Sequence, residues 1–105
     1  MRKITYPLLV AMIFAAPMVH ASQVLAMQSG CLGCHKTDAK LVGPAFQDVA
    51  RKYAGDADAV DRLVNKVKSG SATGEPLIWG TIMMPPSSAS EEHIRGVIQW
   101  IMTLK

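Results

Sequence analysis

The chain has 105 residues, with 11 Lys and Arg against 8 Asp and Glu for a formal charge of +3. This length bounds it to one domain. Arg2 and Lys3 supply two of the positive charges, so the rest of the chain is close to neutral and has no basic stripe; nucleic-acid binding therefore lacks electrostatic support.

Met1–Ala21 reads as a secretory signal that is cleaved, leaving residues 22–105 as the working domain. Arg2 and Lys3 form its positive start, Leu8–Ala16 its apolar run, and Val19-His20-Ala21 its processing site. The run is well short of the roughly 20 residues a bilayer span needs, and Pro17 ends it, so no stable membrane anchor is expected.

A first helix is expected over Gln23–Ser29, carrying Val24, Leu25 and Met27, with Gly30 pointing to a close contact with another element. The chain's two cysteines follow, in Cys31-Leu32-Gly33-Cys34-His35. C-x-x-C-H is the attachment pattern of a c-type haem. Two intervening residues let one helical turn present both thiols to one edge of the macrocycle, where each can add to a vinyl group. His35 comes next and can reach the iron from one face. Three other uses of C-x-x-C compete. A thioredoxin-like redox pair expects a βαβ context, which is missing. A zinc site needs a second Cys/His pair, and past the leader only His93 is left. A disulfide here would close too short a loop to stabilise much. Export agrees with haem attachment, which takes place outside the cytoplasm and in a bacterium with an outer membrane means the periplasm.

A second helix follows Pro44, with Phe46, Val49, Ala50 and Tyr53 at helical spacing and Gly55 at its end. The third, about Ala57–Lys68, carries Val60, Leu63, Val64 and Val67, with Asp56 as its expected cap and Gly70 beyond it. The fourth, Glu91–Leu104, has Ser90 as N-cap, Glu91 and Glu92 in its first turn, and an apolar stripe of Ile94, Val97, Ile98, Ile101 and Leu104 beside Trp100. Between them lie loops Lys36–Gly43 and Ser69–Ala89. No alternating pattern marks a strand, so the class is all-α. A domain this small has a thin core, and the haem-free chain is expected to be largely unfolded.

Haem iron has a second axial position, for which histidine, methionine or nothing are the options. His93, in the first turn of the last helix, reads as a surface residue. Met83-Met84-Pro85-Pro86 lies in the long loop, where the prolines stiffen the chain after the sulfurs. Met27 and Met102 lie on helices and read as packing residues.

From about Gln23 to Lys105 the chain resembles a small bacterial class I cytochrome c of the cytochrome c-551/c-552 type. The matching pieces are C-L-G-C-H, L-V-G-P-A-F at Leu41–Phe46, W-G-T-I-M-M-P-P at Trp79–Pro86 and the closing I-Q-W-I helix. The resemblance implies about four helices wrapped around one covalent haem c, held by Cys31 and Cys34. It implies axial ligation by His35 and by the Met before Pro-Pro, Met84, with Met83 standing where the family often has proline. It further implies that the Pro44 carbonyl takes the Nδ1 proton of His35, that the Trp79 indole donates to a haem propionate, and that Lys66 stands where the family often has a propionate-binding cation. Two departures are Ala26, where the family often has an aromatic, and a longer stretch over Ala72–Leu77.

The expected function is one-electron transfer, not enzymatic catalysis, by a soluble monomeric periplasmic carrier. Its partners would be redox proteins: a cytochrome reductase or dehydrogenase as donor, and a terminal oxidase, nitrite reductase or peroxidase as acceptor. The alternatives are a haem-based sensor or catalyst with a labile Met ligand, and a dedicated cytochrome subunit of an oxidoreductase.

Overall fold

The computed structural model describes residues 2–8, 10, 22–71 and 76–105. Four α-helices form, α1 (Gln23–Gln28), α2 (Phe46–Lys52), α3 (Ala59–Ser69) and α4 (Glu91–Ile101), with a 3-10 turn at Cys31–Gly33 and no strand among the described residues. Processing after Ala21 lies outside the described residues. Among those that are described, no helix is long and apolar enough to cross a membrane.

α1 begins where the Ser22 hydroxyl accepts from the Leu25 amide at 3.2 Å, satisfying one of the amides a helix start leaves open. Only Leu25 and Ala26 are buried on it. Val24 and Met27 are 56% and 60% exposed, so Met27 is not the packing residue its helical position implied. A six-residue helix has room for one short buried stripe. Gly30 also differs from expectation. A Cβ there would meet nothing within 4 Å, but its φ is +78°. The glycine lets the chain leave α1 through a left-handed turn; no neighbour crowds it.

α2 starts at Phe46, two residues after Pro44. Its first amides reach back to the segment behind the cysteine motif, with Phe46 N on the Lys36 carbonyl at 2.9 Å and Gln47 N on the Thr37 carbonyl at 3.0 Å. α3 starts at Ala59, two residues later than expected. Asp56 does not cap it; Asp56 accepts from the Asp58 amide at 3.0 Å, a side-chain turn that precedes the helix, and also pairs with Arg62. α3 runs through Ser69 to Gly70, so the following loop begins later than the sequence suggested.

In α4, Ser90 accepts from the His93 amide at 3.2 Å. Ile94, Val97, Ile98 and Ile101 are buried, each contributing about 1.5–3 kcal/mol by leaving water. The helix ends at Ile101, short of Leu104, in turns closed by Thr103 N on Trp100 O and Leu104 N on Ile101 O.

α4 is the shared element. Val97 and Ile101 pack with Leu25, Ala26, Phe46 and Ala50 from α1 and α2. Ile94 and Ile98 pack with Val64 of α3. Among the described residues α3 touches α4 but neither α1 nor α2. Among the described helices, the two half-cores therefore meet only along α4.

Candidate functional site

The space left between the half-cores is a cavity of about 450 Å³. Its wall comes from α2, α3, α4, the 40–44 loop and the 76–85 loop. Cys31, Cys34, His35, Met83 and Met84 all border it. Cys31 is half-buried and Cys34 exposed. Burial pushes the Cys31 thiol up, opposed in part by a backbone hydrogen bond.

His35 is held from three sides. Its Nδ1 lies 2.8 Å from the Pro44 carbonyl. A carbonyl only accepts, so Nδ1 carries the proton and Nε2 is left as the donor atom. The ring stacks on Phe46 at 5.1 Å between centroids and 18° between planes. Phe46 in turn meets Trp100 edge-on at 5.6 Å and 83° and is itself buried. Gly43 closes the third side: a Cβ there would fall 2.8 Å from Nδ1 and 2.9 Å from Nε2, closer than real Cβ contacts allow.

The two methionines differ in exposure. Met83 is 59% exposed, whereas Met84 is half-buried. The Met84 backbone is bonded in both directions to Ser71: Ser71 N donates to Met84 O at 2.9 Å, and Met84 N donates to Ser71 Oγ at 3.0 Å. Trp79 and Lys66 also reach the cavity wall. The Trp79 ring carries Lys52 Nζ 5.7 Å from its centroid, within cation–π range. His93 is exposed and stands away from the cavity wall.

Sequence reasoning missed several of these supports. The Gly43 packing is hinted at by the glycine before Pro44. Helical spacing marks Phe46 as a core position and carries no sign of its stack on His35. Lys52 and Ser71 carry no local signal, because their partners are distant in the chain.

These residues fit a haem. The cavity is large and its wall mostly aliphatic and aromatic. Two thiols sit at one edge, an imidazole is fixed with Nε2 free to donate, and thioethers lie in the 83–84 segment. Lys40 and Lys66 are the lysines on the wall, suited to an apolar body with an anionic edge.

The sequence profile of the cytochrome c family matches residues 19–105. Cytochrome c-552 of Hydrogenobacter thermophilus is 44% identical over 98 residues, covering 93% of this chain and 96% of that one. Cytochrome c-551 of Allochromatium vinosum is 46% identical over 90 residues, covering 85% and 92%. The crystal structure of wild-type Nitrosomonas europaea cytochrome c552 superposes with a TM-score of 0.73 at 39% identity, over 80% of this chain and all of that one. With the helical fold, the cavity and the thiol–imidazole edge already in hand, these similarities mean that the chain belongs to the cytochrome c family, as a class I electron carrier of the c-551/c-552 type built around one covalently attached haem.

Proposed function

We propose that this protein is a diffusible periplasmic electron carrier, not an enzyme, in which His35 and Met84 bind the haem iron from opposite faces and Cys31 and Cys34 carry the thioether links. The observation that supports this most directly is that one apolar cavity gathers both cysteines, an oriented imidazole and a half-buried methionine. A bound haem supplies a one-electron iron couple.

The chain's own residues supply the rest. Pro44 holds the His35 proton on Nδ1 and so keeps Nε2 directed as a donor. Met84 offers a soft thioether, which favours the reduced metal and raises the potential. Ile94, Val97, Ile98 and Ile101 present a dry wall along α4. Trp79 and Lys66, which border the same cavity, would offer a propionate edge an indole donor and a cation, lysine acting as a point charge. Met1–Ala21 is removed on export. The partners are a reductase or dehydrogenase as donor and an oxidase, nitrite reductase or peroxidase as acceptor.

The test is the visible spectrum of the reduced holoprotein with and without carbon monoxide. An unchanged spectrum is expected, because both axial positions are held. A prompt carbonyl spectrum would overturn the carrier reading in favour of a sensor or catalyst. Met84→Ala should bind the gas at once and lower the potential, while Met83→Ala should do neither; the reverse pattern would move the ligand to Met83.

A further inference from the structure

The segment that carries Met84 is an irregular loop, so something outside it must hold the sulfur in place. Pro85 and Pro86 have no amide hydrogen. The backbone donors flanking them are therefore Met84 N and Ser87 N, and both are spent on the end of α3. Ser87 N donates to the Val67 carbonyl at 3.0 Å, and Met84 N donates to Ser71 Oγ at 3.0 Å. Gly70 lies directly beneath. A Cβ on it would stand 2.7 Å from the Met84 carbonyl and 2.7 Å from Pro86 N, and its φ is +70°. The loop thus lies flat on the α3 terminus, and only a residue without a side chain permits that approach. Ser71 then closes a two-way clamp, its own amide donating to the Met84 carbonyl at 2.9 Å.

Of these bonds, all but one join backbone to backbone. The exception is the hydroxyl of Ser71, the one contact in the set that a side chain controls.

We propose that Ser71 is a positioning residue for Met84: through its hydroxyl it fixes the Met84 backbone, and so sets how firmly the thioether stays on the iron. This rests on the assignment of Met84 as the axial ligand made above. Without the hydroxyl, the half-buried Met84 amide loses its acceptor. A donor left unsatisfied in this way costs more than the net contribution of the bond itself, and moving the loop is how that amide regains water.

The experiment uses holoprotein carrying Ser71→Ala, Ser71→Thr or Met84→Ala. Three quantities are read: the rate of carbon monoxide binding to the ferrous form, the far-red sulfur-to-iron charge-transfer band of the ferric form, and the guanidinium unfolding free energy. Ser71→Ala should bind the gas about tenfold faster than the parent, equivalent to about 1.4 kcal/mol, with a weakened band. Ser71→Thr keeps an oxygen at the same position and should restore both. If Ser71→Ala behaves like the parent while Met84→Ala binds the gas promptly, the role of Ser71 is overturned and that of Met84 stands. If Met84→Ala keeps the band and the parent's slow binding, the ligand assignment fails and this proposal fails with it. If Ser71→Ala loses stability without faster gas binding or a weakened band, or Ser71→Thr fails to restore the band, Ser71 is merely structural and the proposal is overturned.

Discussion

The wall of the cavity that holds His35 and the wall that holds Met84 are stabilised in different ways. His35 stacks on Phe46, which is buried between α1, α2 and α4 and braced by Trp100. Its ring lies against Gly43 and bonds to Pro44. The Met84 wall lies in a loop whose apolar residues Ile78 and Ile82 border the cavity, 48% and 66% exposed, and belong to neither half-core. Backbone hydrogen bonds to the end of α3 and one serine hydroxyl hold it. One wall is tied to a hydrophobic core and the other to a few polar contacts. Close packing resists displacement of any atom, whereas a short set of hydrogen bonds can be opened one at a time. The histidine side should therefore be the rigid face of the site and the methionine side the adjustable one.

Four measurements break or sharpen this contrast, taken from the largest expected effect downward. Preventing haem attachment with Cys31→Ala/Cys34→Ala should abolish cooperative folding, because among the described residues α3 joins α1 and α2 only through α4 and the space between them is the cavity. Circular dichroism during heating checks this; a sharp native-like transition in the haem-free chain would show that the half-cores are self-sufficient. Phe46→Ala should cost the holoprotein about 3–5 kcal/mol, as expected for a truncated buried aromatic. Guanidinium unfolding measures it, and a loss below about 1 kcal/mol would remove the core anchor from the His35 wall. Gly43→Ala forces a methyl group into the imidazole and should cost about 1–3 kcal/mol. A shifted Soret band should accompany that loss; an unchanged spectrum and stability would mean that the ring has room to move.

The smallest effect concerns the surface joining α3 to α4. Lys68 and Arg95 both contact Glu91, and Arg95 also reaches Asp61. The hydrogen bond from Lys68, then its charge, holds the Glu91 carboxyl below its ordinary value of 4.5. Asp61 likewise holds the Arg95 guanidinium above its ordinary value. A carboxyl with a depressed folded-state pKa stabilises the fold fully above its unfolded value and loses that contribution as pH falls through its folded value. Glu91→Gln should therefore lower the melting temperature slightly at pH 7, and the difference from the parent should vanish as pH falls below about 4.5. These side chains are partly to mostly exposed, Arg95 the least so, and added salt should weaken the difference. A large loss at neutral pH would show that the α3–α4 contact depends on charge more than on Val64, Ile94 and Ile98.

Much of the fold can be read along the chain. The α4 stripe and its Ser90 cap follow from 3.6-residue periodicity and capping chemistry, and both stand within a few residues of where periodicity sets them. The errors fall where a short element leaves little pattern. Met27 lies on a helix too short to bury it, and Asp56 serves a turn that precedes the helix it was expected to cap. Gly30 is a glycine for its backbone angle and Gly43 for its neighbour. Sequence alone cannot separate these two uses, since both appear as one missing side chain.

The sequence by itself determined the cofactor and the all-α class. Cys31, Cys34 and His35 are adjacent, so their chemistry needs no folding to be recognised, and helical periodicity is a local property. Only the tertiary structure decided that α4 is shared by two half-cores, that Phe46 and Gly43 lock His35, and that Ser71 and Gly70 carry the Met84 loop. Each of these depends on atoms brought together from distant parts of the chain, and no short-range pattern encodes such a meeting.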